Sequence, residues 1–111
     1  MIKKKNCFIT FKDWKCNIEY SKYPDDRWKI CLIDMEDGIT VATATIFLGT
    51  ITLLNNEVII KDYSENEGIY DVLIKNGIIN RTPKAVKLSE FVTAPICTIN
   101  YNSEFFIEKL Y

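Results

Sequence analysis

From Trp14 to Ser21 the side chains alternate without a break, with Trp14, Cys16, Ile18 and Tyr20 on one side and Lys15, Asn17, Glu19 and Ser21 on the other. A period of two is the signature of a β-strand with one covered and one wet face. It commits the chain to a sheet packed on one side. Upstream, Cys7, Ile9 and Phe11 keep the opposite parity, so the register must slip near Lys12-Asp13, through a bulge or through a tight turn between two strands.

Tyr23-Pro24-Asp25-Asp26 reads as a turn, because proline fixes φ and aspartate side chains bond nearby amides. The run Trp28 to Met35 is apolar at both parities, which predicts a central strand covered on both faces over part of its length. Asp37-Gly38 then gives a hairpin signal. With these two as the loop residues, Glu36 faces Ile39, Met35 faces Thr40, Ile33 faces Ala42, and the return strand runs from Ile39 to Phe47. Gly49 breaks that strand, Asn55-Asn56 marks a turn, and Val58 to Ile60 resumes as a short strand.

Ser64-Glu65-Asn66-Glu67 fits a capping box, in which the serine and the glutamate satisfy each other's backbone amides at a helix start. The spacing predicts one short helix over about 65–76, with Ile69, Val72 and Leu73 as its buried stripe, Tyr70 and Ile74 widening it, and Gly77 as its stop. Ala85 to Leu88 and Pro95 to Tyr101 read as further short strands. The segment 103–111 reads equally as a short helix or a last strand. The pattern predicts an α+β fold: a single antiparallel or mixed sheet of five to six strands with one helix packed on one face, in a single domain over 1–111.

A chain of 111 residues, 48% hydrophobic and 26% charged, has enough apolar side chains for a core without metal or disulfide staples. Cys7, Cys16, Cys31 and Cys97 are widely spaced and sit in strand-like runs. They read as reduced core thiols, the alternative being two bridges in a secreted protein. The amino end Met1-Ile2-Lys3-Lys4-Lys5-Asn6 has no apolar stretch of a secretion signal, and no run approaches the roughly 20 apolar residues of a membrane span. The expectation is a soluble, cytoplasmic protein without membrane association.

Chemistry is constrained by what is missing. The chain has no histidine, which removes the commonest general base and metal ligand. Its four glycines form no phosphate-binding loop, and no cysteine spacing matches a zinc site. The expectation is therefore no enzyme activity, no cofactor and no metal. A carboxylate-dependent hydrolase is the residual enzymatic reading, with no carboxylate pair singled out by its spacing.

Charge is unevenly placed. Residues 1–29 hold eight basic and four acidic side chains, residues 30–71 hold one and eight, a net of −7, and residues 72–111 hold five and three. Asp62, Glu65, Glu67 and Asp71 flank the helix start, where the backbone amides favour negative charge. With Tyr63 they also form a candidate partner-binding surface for a basic groove. The alternative constellation is Lys12, Trp14, Lys15, Tyr20, Lys22, Tyr23, Arg27, Trp28 and Lys29, cations interleaved with aromatics as in single-strand nucleic-acid grooves. Against it, alternation places Trp14 and Tyr20 on the core face and Lys15 on the wet face.

Ala42-Thr43-Ala44-Thr45-Ile46, the stretch Val58 to Gly68 with its Lys-Asp-Tyr-Ser-Glu-Asn-Glu-Gly, Leu73-Ile74, Gly77-Ile78 and Pro95-Ile96-Cys97 resemble an uncharacterised family of small proteins of phages, plasmids and mobile elements, domain of unknown function 4313. The resemblance covers about Asp34 to Cys97. It implies no enzymatic activity and no catalytic residues. By context it implies a host-directed inhibitor resembling anti-CRISPR proteins, with a host protein as partner, a CRISPR effector or another nucleic-acid enzyme, ahead of direct nucleic-acid binding.

Overall fold

The computed structural model describes residues 8–108. Its strands form two antiparallel four-stranded sheets and not one. The first has the order β1 (Ile9–Phe11), β2 (Trp14–Lys22), β3 (Trp28–Asp34), β4 (Thr40–Thr43). The second places β8 (Thr93–Ile99) between β5 (Glu57–Ile59) and β6 (Ile79–Asn80), with β7 (Ala85–Lys87) also paired to β8. The chain turns the corner just after β4. The Ala44 amide still donates to Ile30 O, while Ile46 N donates to Ile59 O and Lys61 N to Ala44 O, so that Thr45 bridges to Ile60. One run thus belongs to both sheets, and its simple alternation hides the bend.

The slip at Lys12-Asp13 is a tight turn. Phe11 pairs with Trp14, and Lys12 takes φ 55°. The β3–β4 hairpin departs from the expected register. Asp34 N donates to Ile39 O and Gly38 N to Asp34 O, which makes a four-residue loop with Gly38 at φ 74°. A bulge between Leu32 and Ile33 then sets Leu32 opposite Ala42 and Ile33 opposite Thr40. Local acceptors decide the loop: Asp34 Oδ1 takes the Glu36 amide and Asp37 Oδ1 takes the Ile39 amide, both at 2.9 Å. Two such side-chain turns favour the longer loop over a two-residue one. The return strand ends at Thr43 and not at Phe47.

The helix is also shorter than its sequence signal. Ser64–Asn66 is a 3-10 turn, with Ser64 at φ 54°, and α1 begins after it at Ile69 and ends at Lys75. The Ser64 side chain does not cap. Asp62 does so from a distance: its Oδ1 accepts the amides of Gly68 and Tyr70, both at 3.0 Å. Gly68 turns into the helix at φ 95°, a left-handed conformation that glycine adopts without penalty. A second helix, α2, covers Glu104–Glu108; residues 109–111 of the ambiguous segment lie outside the described residues.

The core lies between the sheets and α1. Ile9, Cys16, Ile18, Ile30 and Leu32 from the first sheet meet Val58, Cys97 and Ile99 from the second, closed by Ile69 and Leu73 of α1. The opposite face of the second sheet, with Ile59, Ala94 and Ile96, is covered by Ile46, Leu48, Ile51 and Leu53. Burial on both faces is why β5 shows no alternation. Tyr20, Trp28 and Phe106 meet edge to face at centroid distances of 5.0–6.3 Å and seat α2 on the end of the first sheet.

Candidate functional site

The acidic residues sit on a strap, residues 61–68, that crosses the free edge of β4. Asn66, 2% exposed, donates from Nδ2 to Thr43 O at 2.7 Å, and the Lys61 amide holds the other end to Ala44 O. An edge strand covered in this way loses a carbonyl that would otherwise invite pairing with another chain. The carboxylates on the strap then divide by task. That of Asp62 is committed to the two helix amides. Glu65 pairs with Lys61 at 2.8 Å, and that hydrogen bond holds its carboxyl below the usual glutamate range while raising the Lys61 ammonium. Lys12 reaches over from the β1–β2 turn to Glu65 O at 2.7 Å. Tyr63 is half-buried with Lys61 beside its ring. Glu67 and Asp71 are exposed, with no ion pair among the described residues.

The basic and aromatic residues are not gathered into one groove. Because paired residues share a face, Lys22 lies with Trp28 on the core side, at 3.8 Å from its ring, and Lys29 lies with Ser21 on the other. Lys29 and Phe47 flank the ring of Tyr23, whose hydroxyl is bonded to Thr45. Burial raises the Tyr23 phenol, and the Thr45 hydroxyl opposes that. Arg27 pairs with Asp25 at 2.9 Å and donates to the carbonyls of Leu48 and Ile51, so its guanidinium pins the segment that covers the second sheet. Lys12, Trp14 and Lys15 stand at the far end of β2.

Trp14 is not a core residue, as its parity suggested, but 44% exposed. The cause is where β3 stops: the last pair of the β2–β3 ladder is Cys16 with Asp34, so Trp14 runs past β3 and is paired on its β1 side alone, with Phe11. There it meets Phe8, 44% exposed, and Met35, 39% exposed, around a hollow of about 440 Å³ also lined by Asp13, Lys15, Asp34 and Glu36. Sequence reading missed Phe8 and Met35 because both sit in runs whose periodicity assigns them to a sheet, and Asp37-Gly38 signals a two-residue turn where the Asp34 and Asp37 side chains set the longer loop that frees Met35.

Among the described residues no group of histidine, cysteine, aspartate or glutamate is placed to hold a metal ion. Cys16, Cys31 and Cys97 are free and buried. Burial pushes the thiols of Cys16 and Cys97 up to about 11, which leaves them protonated at neutral pH and unsuited to nucleophilic attack. Cys7 lies outside the described residues. No helix among those residues is long and apolar enough to cross a membrane. No protein-family model matches the chain, and neither a curated protein nor a solved structure matches it.

Proposed function

We propose that this chain is a non-catalytic protein-binding module that presents the acidic strap and helix start to a basic, nucleic-acid-binding groove of a host protein. The observation that supports it is the contrast within the strap. Asp62 and Asn66 spend their side chains on rigidity, and Glu67 and Asp71 are exposed, with no cation bonded to their carboxylates among the described residues. Preorganised charge of this kind steers a basic partner and raises its on-rate. Taken with the resemblance to small mobile-element proteins, the reading places the partner among nucleic-acid enzymes, a CRISPR effector being the specific case.

The test is capture of partners by the tagged protein from its host's lysate, eluted in salt steps and identified by mass spectrometry, beside the variant E67K/D71K. Both side chains are exposed, so the variant should melt as the parent does and lose most of the captured partner. Equal capture by the two proteins would overturn the assignment. Recovery of nucleic acid alone, unaffected by the variant, would shift the function to the Lys and aromatic residues of β2 and β3.

A further inference from the structure

We infer that the hollow formed by Phe8, Trp14 and Met35 is a docking site for an arginine side chain carried on a basic segment of a partner protein. The inference stands on this hollow and not on the acids of the strap. Three large apolar residues, each 39–44% exposed, line this one hollow at the end of the first sheet. Trp and Met are also the types that anchor protein interfaces. Ile39, which closes the β3–β4 loop, is a further exposed apolar residue, at 64%.

The rim sets the charge of the occupant. Among the described residues, Asp13, Asp34 and Glu36 line the hollow against one base, Lys15, so three negative groups and one positive leave a net of −2. Lys15 stands 5.5 Å from the centre of the Phe8 ring, which shows that this wall already accepts a cation over an aromatic face. Asp34 spends one oxygen on the Glu36 amide, whereas the Asp13 and Glu36 side chains have no partner among the described residues. An apolar floor with an anionic rim fits a group that is flat, weakly hydrated and positive. Guanidinium meets all three conditions: it stacks on an indole face and offers a fork of donors to carboxylates, whereas the compact ammonium of lysine is more strongly hydrated.

The probe is an end-blocked arginine–leucine–arginine peptide, titrated into the full-length, isotope-labelled protein and followed by the Trp14 indole resonance and the amides of residues 33–37. Saturable shifts confined to those signals are expected. A counterpart in which citrulline replaces arginine keeps the shape without the charge and should bind at least tenfold more weakly. Trp14→Ala should abolish the shifts at residues 33–37. D13N/E36Q, which alters exposed side chains and leaves the apolar walls whole, should weaken binding roughly threefold to tenfold. Absence of shifts at millimolar peptide, equal binding of the citrulline peptide, or shifts centred on Glu67 and Asp71 would each overturn the inference. Two other occupants would do so as well. Concentration-dependent self-association abolished by Trp14→Ala would assign the hollow to a second copy. Peptide binding that emerges only after Lys3, Lys4 and Lys5, which precede Phe8 in sequence, are changed to glutamine would assign it to the chain's own amino end.

Discussion

Glu57 is 4% exposed, yet it is a carboxylate. Its Oε1 accepts the Leu54 amide at 2.8 Å and its Oε2 the Lys84 ammonium at 2.7 Å. The bond from Leu54, followed by that from Lys84, holds the acid below its ordinary 4.5. A carboxyl lowered by folding contributes stability above its unfolded value, and the contribution is lost as pH falls through the folded one. The expected outcome is a melting temperature that declines below pH 4.5 in the parent. Glu57→Gln should begin lower at neutral pH and show a flatter decline, the two curves converging in acid. Parallel curves would mean that the charge of Glu57 is not linked to folding. Asp62 does comparable work in the open: its oxygen replaces the serine of the expected capping box, because Ser64 is drawn into a left-handed turn and cannot present its hydroxyl to α1. The acid could be read from the sequence as a residue of the helix start; its reach of six and eight residues could not.

The strap of residues 61–68 carries both the edge protection of β4 and the proposed binding carboxylates, so its rigidity is open to measurement. Asn66→Ala leaves the Thr43 carbonyl without its donor and should destabilise the fold by about 1–3 kcal/mol. Hydrogen exchange should rise first at the amides of Ala44 and Lys61 beside the lost contact. Uniform acceleration across the whole chain would instead assign Asn66 to global stability alone. At the hinge into α1, an added Cβ on Gly68 would meet nothing within 4 Å. Any effect of Gly68→Ala must therefore come from φ 95° itself. A loss of about 1–2 kcal/mol is expected in denaturant titrations, and a neutral result would show that the turn relaxes. The stripe of α1 was legible in advance, since Ile69 and Leu73 are fully buried and Tyr70, Val72 and Ile74 are half-covered. The start of the helix was not, because the capping pattern Ser-x-x-Glu also suits a 3-10 turn, and only the reach of Asp62 decides between them.

On the scale of the molecule, strands were recognisable and their partners were not. Alternation located β2, the doubly apolar run located β3, and β5, β7 and β8 stand close to where the sequence placed them. The division into two sheets depends on the residues after Thr43 leaving β3 and turning to β5. The small Ala42 and Ala44, both buried at that corner, fit either a straight strand or a bent one. β6, only two residues long, leaves no periodic trace. The sheets nevertheless share one core: Leu73, fully buried, belongs to the cluster that joins Ile18, Ile30 and Leu32 to Val58, Cys97 and Ile99. Leu73→Ala should therefore destabilise both sheets together, by about 2–5 kcal/mol, a large share of the total stability usual for a domain of this size. Trp14 and Trp28 both lie in the first sheet, so tryptophan fluorescence reports its melting, and the amide resonances of Val58 and Cys97 report the second. One core requires the two signals to shift to the same lower midpoint in the variant. Separate midpoints would mean that the bend at Thr45 joins two units that fold independently, and the acidic strap, which follows β5 of the second sheet and is bonded to Thr43 and Ala44 at the end of the first, would then rest on two units and not form one rigid binding face.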